Sequence, residues 1–565
     1  MSAKILVKQV DQAVVTHLAE TFDLPHFIAA TLASRGVIQD EQVERFLHPS
    51  LARDWRDPYD IEGMEEVIER LLAALKRSAR ILVFGDFDVD GITATSIMTR
   101  GLRALGAEVI PFIPLRFEEG YGLSAKAIER VIGMSPDLVI TVDNGIAAYD
   151  EVEHLKREGI EVIITDHHEP AEAVPKGVPL IDPKCGSNPS SILAGAGVAL
   201  KAIQALGARL GKPHLWRSLV DLATLGTIAD LMPMVDENRA LVAEGLTMLN
   251  SEPRACIEAL MVQAGIEPGT LSSVNLGFTL IPRLNAAGRM GNAQLALDLL
   301  LCDDPAECMR LAAQLEDNNN ERRRIEAELS EVAQEQAAQS YTGQRALVVF
   351  GEGWHEGVKG IVASRLVNTY RVPSLLFTIE DGEARGSGRS VGDINLFKAV
   401  EHCKHLLTHY GGHEAAVGVT LPSANLGEFY RELCSYLDTF PAECFEASVK
   451  ADAIVDLSEL TLENVAKIDL LAPFGQENAV PHYLARGVFL EQAKAVGAEK
   501  NHLSARLSDG VDSVAAIMFR APNIAEMLRC KCALDAVFRL QIDTWKNYRS
   551  VKAMVDHIAP LDASD

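Results

Sequence analysis

Ile81-Leu82-Val83-Phe84-Gly85-Asp86-Phe87-Asp88-Val89-Asp90-Gly91 is the stretch on which the fold turns. Its four leading apolar residues suit a short strand buried on both faces, as in a parallel sheet. Glycines 85 and 91 let the chain bend sharply and come close to a ligand. Between them, Asp86, Asp88 and Asp90 crowd three carboxylates beside a buried strand. Such groups repel one another, and a bound cation offsets the repulsion. A solvated acidic turn or a calcium-type loop is the plainer alternative. An EF-hand would also need a bidentate Glu twelve positions in, which is absent here.

The same rhythm continues downstream. Residues 92–105 read as a helix closed by Gly106, residues 109–113 as a second strand and 125–132 as a helix. A third strand over 138–142, a helix over 147–158 and a fourth strand over 162–165 follow. Short apolar runs alternating with helices of about ten residues predict an α/β fold with a doubly wound parallel sheet. In such sheets, side chains just past the strand carboxyl ends face the ligand crevice. The Asp86–Asp90 run falls there. So do Asp143, in Val142-Asp143-Asn144-Gly145, and Asp166-His167-His168. A helix over 216–231 brings Asp230 in from one side.

Each of these has an ordinary reading when taken singly. Asp143-Asn144 suits a helix N-cap, a histidine pair suits a surface turn, and Asp230 suits a plain polar helix position. Taken together, at the ends of different elements, they spell a two-metal phosphoesterase site. Mixed imidazole and carboxylate donors favour manganese, with magnesium or zinc as alternatives. Two ions about 3.5–4 Å apart would stabilise the attacking and leaving oxygens of a phosphoester.

Composition narrows the setting. The 565 residues are 48% hydrophobic and 23% charged, which suits a soluble chain of several domains. The net charge of −26, from 53 basic against 79 acidic residues, argues against binding duplex nucleic acid over the whole surface. It leaves room for a locally basic channel, whose field is set by its lining. The first residues lack the apolar core of a signal peptide, and no uncharged apolar run reaches the roughly 18 residues of a membrane span. Nine scattered cysteines make no disulfide framework. A cytoplasmic location is expected.

Residues 1–60 read as an N-terminal segment of short amphipathic helices, 61–235 as the metal-binding domain and 236–340 as a helical connector. The connector's long helix, over 305–339, carries Leu311, Leu315, Ile325, Leu329 and Val332 on one stripe. Its polar stretch 317–324 suggests an exposed link. A second, smaller α/β domain spans 341–445, with a Gly-rich turn at Gly411-Gly412. Residues 446–565 alternate like about five strands of an OB-like β-barrel that binds single strands.

Several segments suit an anionic polymer. Arg385-Gly386-Ser387-Gly388-Arg389-Ser390 offers guanidinium and hydroxyl donors, with glycines that expose backbone N–H groups, or else it is a solvated basic turn. His413 follows two glycines and could donate to a phosphodiester. Arg116 and Tyr121 follow the second strand, one suited to a phosphate and the other to a base, unless Tyr121 is a packed aromatic. Thr544-Trp545-Lys546-Asn547-Tyr548-Arg549 interleaves aromatic and basic residues, which makes Trp545 a stacking candidate or a core residue beside a turn.

The ordered set of motifs resembles the DHH phosphoesterase superfamily, and within it the single-strand-specific 5′→3′ exodeoxyribonucleases. The resemblance runs through nearly the whole chain, adding Gly226-Thr227-Ile228-Ala229-Asp230, Pro282-Arg283-Leu284-Asn285-Ala286-Ala287-Gly288-Arg289, Gly353-Trp354-His355-Glu356-Gly357, Gly411-Gly412-His413-Glu414 and Pro473-Phe474-Gly475-Gln476-Glu477-Asn478. It implies that Asp86, Asp88, Asp90, Asp143, His167 and Asp230 hold or support two Mn2+ or Mg2+ ions. It also implies that His168 meets the scissile phosphate or leaving oxygen, with Asp143 and Asp88 sharing in catalysis. Arg283, Asn285 and Arg289 would track the DNA backbone, and Arg116, Ser387 and Arg389 would take its 5′ end, with Arg385 nearby. Release of 5′-mononucleotides, action in recombination and repair, a monomeric state, and a single-strand-binding protein and recombination helicase as partners belong to the same expectation. Lys359 departs from the apolar residue expected there. Enzymes for short oligoribonucleotides or cyclic dinucleotides, superfamily pyrophosphatases and inert replication scaffolds fit less well, given the barrel and the intact acidic motifs.

Overall fold

The structure is a computed structural model and describes residues 5–120, 122–170, 173–445, 449–545 and 548–561. Its first sheet is built from β1 (Arg80–Phe84), β2 (Glu108–Phe112), β3 (Leu138–Val142), β4 (Glu161–Thr165) and β5 (Leu180–Ile181), all parallel, in the order β2-β1-β3-β4-β5. Helices α1 (Val89–Ala104), α2 (Ala125–Gly133) and α3 (Tyr149–Arg157) make the crossovers. Alternate residues feed opposite faces. Ile81 and Val83 join the larger core, while Leu82 and Phe84 join a smaller one with Val139 and Ile164. Strand order reverses about β1, so the crevice opens past the ends of β1 and β3. That is where the acidic motifs stand.

One boundary differs from the sequence reading. The helix starts at Val89 rather than 92, with Asp88 as its N-cap accepting from the Gly91 N–H at 3.0 Å. Asp90 thereby sits in the first helical turn. The local reason is that Asp88 satisfies an otherwise orphaned N–H.

Helices α4 (Gly195–Arg209) and α5 (Val220–Ala229) pack against α1. The expected connector is not a free link. Helices α6 (Asp236–Ser251), α7 (Ala255–Ala264), α8 (Ile281–Arg289) and α9 (Ala293–Leu301) bury Leu241, Leu260, Leu284 and Leu299 in the same core as β1 and β3. The long helix α10 (Pro305–Ser340) places Leu311 and Leu315 in that core. Farther along it places Leu329, Ala333 and Ala337 against β6 (Leu347–Glu352) and α11 (Lys359–Tyr370). Its polar stretch is partly buried: Asn319 is enclosed, and Glu326 takes both Arg322 and Arg365. Asp317, Glu321, Arg323 and Arg324 are exposed as the sequence suggests, while Arg322 turns inward to an ion network.

The second sheet has β7 (Ser374–Glu380), β8 (Glu383–Arg389), β9 (His409–His413) and β10 (Ala416–Pro422), in the order β9-β10-β8-β7-β6. Only β6 and β7 run parallel. Helices α12 (Leu396–His402) and α13 (Leu426–Leu437) complete its core. Gly411-Gly412 is part of edge strand β9 and not a turn.

The barrel consists of β11 (Tyr483–Val496), β12 (His502–Ser508), β13 (Ser513–Met518), β14 (Leu534–Trp545) and β15 (Tyr548–Pro560). It runs β11-β12-β13-β15-β14 and closes back on β11. Closure removes the exposed edges that a small sheet would otherwise carry. The N-terminal helices Gln12–Thr21 and His26–Ser34 share this barrel's core, with Phe27 edge-on to Tyr483 at 5.1 Å. The helices up to Leu47 are therefore covered by the barrel, while Leu51 and Trp55 join the core of the first sheet. No helix among the described residues is long and apolar enough to cross a membrane.

Candidate metal centre and phosphate pocket

The first ligand candidates are fixed by backbone. Asp143 follows β3 at φ 61°, a left-handed conformation that costs free energy in a non-glycine residue and directs its carboxylate into the crevice. Its neighbour across the site is Gly195, where a Cβ would lie 2.6 Å from the Asp143 Cβ. Asp90 Oδ2 accepts from the Gly195 N–H at 2.7 Å and Oδ1 from the Ala196 N–H at 3.0 Å, so the N-terminus of α4 holds this carboxylate. Asp166 accepts from the Ile146 N–H at 2.9 Å and the His167 N–H at 2.7 Å, and its Oδ1 lies 2.7 Å from His168 Nδ1. Within the Asp-His-His triplet, Asp166 thus orients the two histidines.

His167 is the hub. Its Nε2 lies 3.0 Å from Asp143 Oδ1 and 3.6 Å from carboxylate oxygens of both Asp90 and Asp230. Ligand atoms of Asp143, His167 and His168, and separately of Asp90, His167 and Asp230, all fall within 4.8 Å of one another. Asp86 Oδ2 is buried without a hydrogen-bond partner among the described residues, and Asp143 Oδ1 and His167 Nε2, 3.0 Å apart, make no hydrogen bond either. A buried carboxylate oxygen with no donor is costly unless a cation meets it. The donor set therefore fits divalent ions.

Electrostatics agree. Burial, then the charge of Asp88, pushes Asp86 up to about 7. Burial, then Asp88, raises Asp230 to about 6. Asp90 and Asp143 are pushed well above the carboxylate range, by burial and then by Asp230 and Asp90 respectively. His167 falls to about 3 through burial and the neighbouring His168, leaving the neutral imidazole that a metal needs. Burial opposes the charged form of His168 as well, but the Asp166 hydrogen bond and charge outweigh it and raise it to about 9. One residue escaped the sequence reading. Asp182, just past β5, is buried, raised to about 6 by burial, and faces Asp166 and His168. A carboxylate at a strand end was the available signal.

Opposite the metal centre stands a wall of arginines. Arg116 lies over the Phe87 ring at 4.7 Å. Burial and then the charges of Arg116, Arg322 and Arg389 push Arg289 down to about 10, so four guanidinium groups converge. Arg322 was not singled out from sequence because it sits in a charge-rich helix. Arg389 and Ser387 meet over the N-terminus of α11, where a Cβ on Gly360 would lie 2.6 Å from Arg389 Nη2 and 3.2 Å from Ser387 Oγ. The loop 353–358 joins the two lobes, with Arg289 Nη1 donating to the Gly357 carbonyl at 3.0 Å.

Other expected substrate residues separate by where they stand. Asn285 and Arg289 line an elongated cavity of about 530 Å³ with Phe278, Ile361, Phe474 and Arg539. Arg283 does not face it: buried, it pairs with Glu316 and donates to the Thr279 carbonyl, so it braces α8 against α10. Arg385 is exposed beside Glu383, and His413 is exposed on β9. Glycines 386 and 388 do not present free N–H groups. They lie in the β8 ladder, and a Cβ on them would strike Phe377 and Val417. Tyr121 and the side chain of Trp545 lie outside the described residues.

The comparisons with known proteins follow the same divisions. The DHH family N-terminal domain model matches residues 80–227, the DHHA1 domain 343–439 and the RecJ OB domain 451–557. A single-stranded-DNA-specific exonuclease RecJ of Bacillus subtilis is 35% identical over 98% of this chain and 70% of its own. One from Dickeya dadantii is 32% identical, over 95% of this chain and 96% of its own. The solved structure of RecJ from Thermus thermophilus in complex with Mn2+ superposes with a TM-score of 0.86 at 29% identity, covering 99% of this chain and 80% of that one. A Mg2+ complex of that protein gives 0.79 at 28%, covering 99% and 79%. With this length of agreement on top of the converging donors, the chain belongs to the RecJ family of DHH-domain exonucleases.

Proposed function

We propose that this protein hydrolyses single-stranded DNA from its 5′ end and releases 5′-mononucleotides. The observation that carries the reading is the facing of two charged sets. Acidic and imidazole donors gather around His167, and a guanidinium cluster stands across the crevice. Asp86, Asp88, Asp90, Asp143, His167 and Asp230 would hold Mn2+ or Mg2+, which supply Lewis-acid activation of water and neutralise charge at phosphorus. His168, held by Asp166, would donate to the scissile phosphate or its leaving oxygen.

Ser387 and Arg389, which meet at the N-terminus of α11, would take a terminal phosphate together with Arg116 from the facing lobe. Asn285, Arg289 and Arg322 would guide the strand along the apolar cavity, whose walls offer contact to base faces without reading their edges. The turn carrying Trp545, with Arg385 and His413 farther out, would engage the rest of the strand. A single-strand-binding protein and a recombination helicase as partners, a monomeric state, a cytoplasmic setting and service in DNA recombination and repair rest on family resemblance.

Digestion of end-labelled single-stranded and duplex DNA with Mn2+ or Mg2+, alongside Asp143→Ala, tests the reading. Mononucleotides released from the 5′ end of single strands alone, and lost in the variant, are expected. Release from 3′ ends, or equal attack on duplex, would overturn it.

A further inference from the structure

We propose that Lys359 is a positioning residue that ties down Glu356, so that the Arg116 guanidinium stays available to a terminal phosphate. The inference rests on the terminal-phosphate reading of the Arg116, Ser387 and Arg389 pocket. The loop 353–358 touches both lobes beside that pocket. Its His355 ring meets Phe117 edge-on at 5.5 Å, next to Arg116, and its Gly357 carbonyl takes Arg289.

Lys359, the first residue of α11, is 1% exposed. Its Nζ lies 2.6 Å from Glu356 Oε1 and also donates to the Arg385 carbonyl, on the strand that carries Ser387 and Arg389. A buried ammonium needs such partners to offset its lost hydration. Burial pushes its pKa down, and Glu356 is the charge that opposes this. Asp86 and Asp88 act on Arg116, and after them Glu356, the one of the three on the loop that faces Phe117. One carboxylate thus lies within the field of two cations, and the close contact assigns it to Lys359. Arg116 itself lies over the Phe87 ring at 4.7 Å, on the acidic loop of the metal centre.

Removal of the ammonium changes the balance of charge at this corner. In Lys359→Met an apolar chain fills the buried volume, while Glu356 loses its cation. The freed carboxylate then competes for Arg116 and repels a phosphate placed there.

The test uses the full chain and oligothymidylates bearing either a 5′-phosphate or a 5′-hydroxyl. Binding is read by fluorescence anisotropy in EDTA and turnover with Mn2+. In Lys359→Met the preference for the phosphorylated end should fall about tenfold in affinity and in KM, with kcat held within about threefold. Adding Glu356→Gln should restore the preference, and Glu356→Gln alone should leave it near wild type. An unchanged preference in Lys359→Met, no rescue in the double variant, or an equal loss in Glu356→Gln alone would each overturn the proposal. Arg389→Ala on the same oligonucleotides separates the two levels. If it abolishes the preference while Lys359→Met does not, only the positioning role fails. If it too leaves the preference intact, the pocket reading falls and takes this inference with it.

Discussion

Asp86 shows what the metal centre costs the fold. Its carboxyl titrates near 7 in the metal-free protein, against 3.8 as the ordinary value, because it is buried and next to Asp88. Between these values the folded state holds a proton that the unfolded chain has released. Metal-free stability therefore declines as pH rises from about 4 through 7. Thermal unfolding of EDTA-treated protein should show a falling Tm across that window, and added Mn2+ should raise the Tm more at about pH 8 than at about pH 5. A flat Tm in EDTA would show that the aspartates do not carry this strain. Asp166 makes a different prediction. It orients the histidines through 2.7 Å contacts, so Asp166→Asn should cut turnover about 10–100-fold, measured on 5′-phosphorylated single strands, while the overall fold persists.

Strand β8 and helix α10 show how much was legible in the chain. The parallel strands announced themselves, since four apolar runs, three of them followed by acidic motifs, leave few alternatives. Asp90, Asp143, His167 and Asp230, which the structure draws together, each sit at an element's end and could be picked out for the same reason. Arg385-Gly386-Ser387-Gly388-Arg389 was harder to read. Alternation puts its polar residues on one face, yet glycine carries no hydropathy signal to reveal a strand. The reason for glycine lies across the sheet, in a Phe377 ring that a Gly386 Cβ would meet at 2.4 Å. Gly386→Ala should cost about 1–3 kcal/mol by overpacking, visible as a lowered denaturation midpoint. Arg283 misled because sequence shows a guanidinium but not its partner. Glu316 lies 33 positions away, on another helix.

Across the assembled lobes, contacts tie the ends of the chain to its middle. Arg239 on α6 is buried and donates to the carbonyls of Phe46, Leu470, Leu471, Ala472 and Pro473. Burial pushes it down to about 9. Because the N-terminal helices share the barrel's core, cutting the chain at about 450 would uncover Phe27 and Leu32 rather than remove a module cleanly. A milder probe is Tyr548, 74% exposed at the start of β15. Tyr548→Ala should weaken binding of long single strands by about 1–3 kcal/mol, read by anisotropy, with short oligonucleotides turned over as before.

The 36 residues of α10 form a rod of about 54 Å whose two halves are set in different cores. No hinge interrupts it. On the proposed reading, the gap between the donors for a terminal phosphate and those for the bond to be cut would therefore be built in, like the stop on a carpenter's saw bench. Fragment length would then be a property of the frame, indifferent to which base passes through.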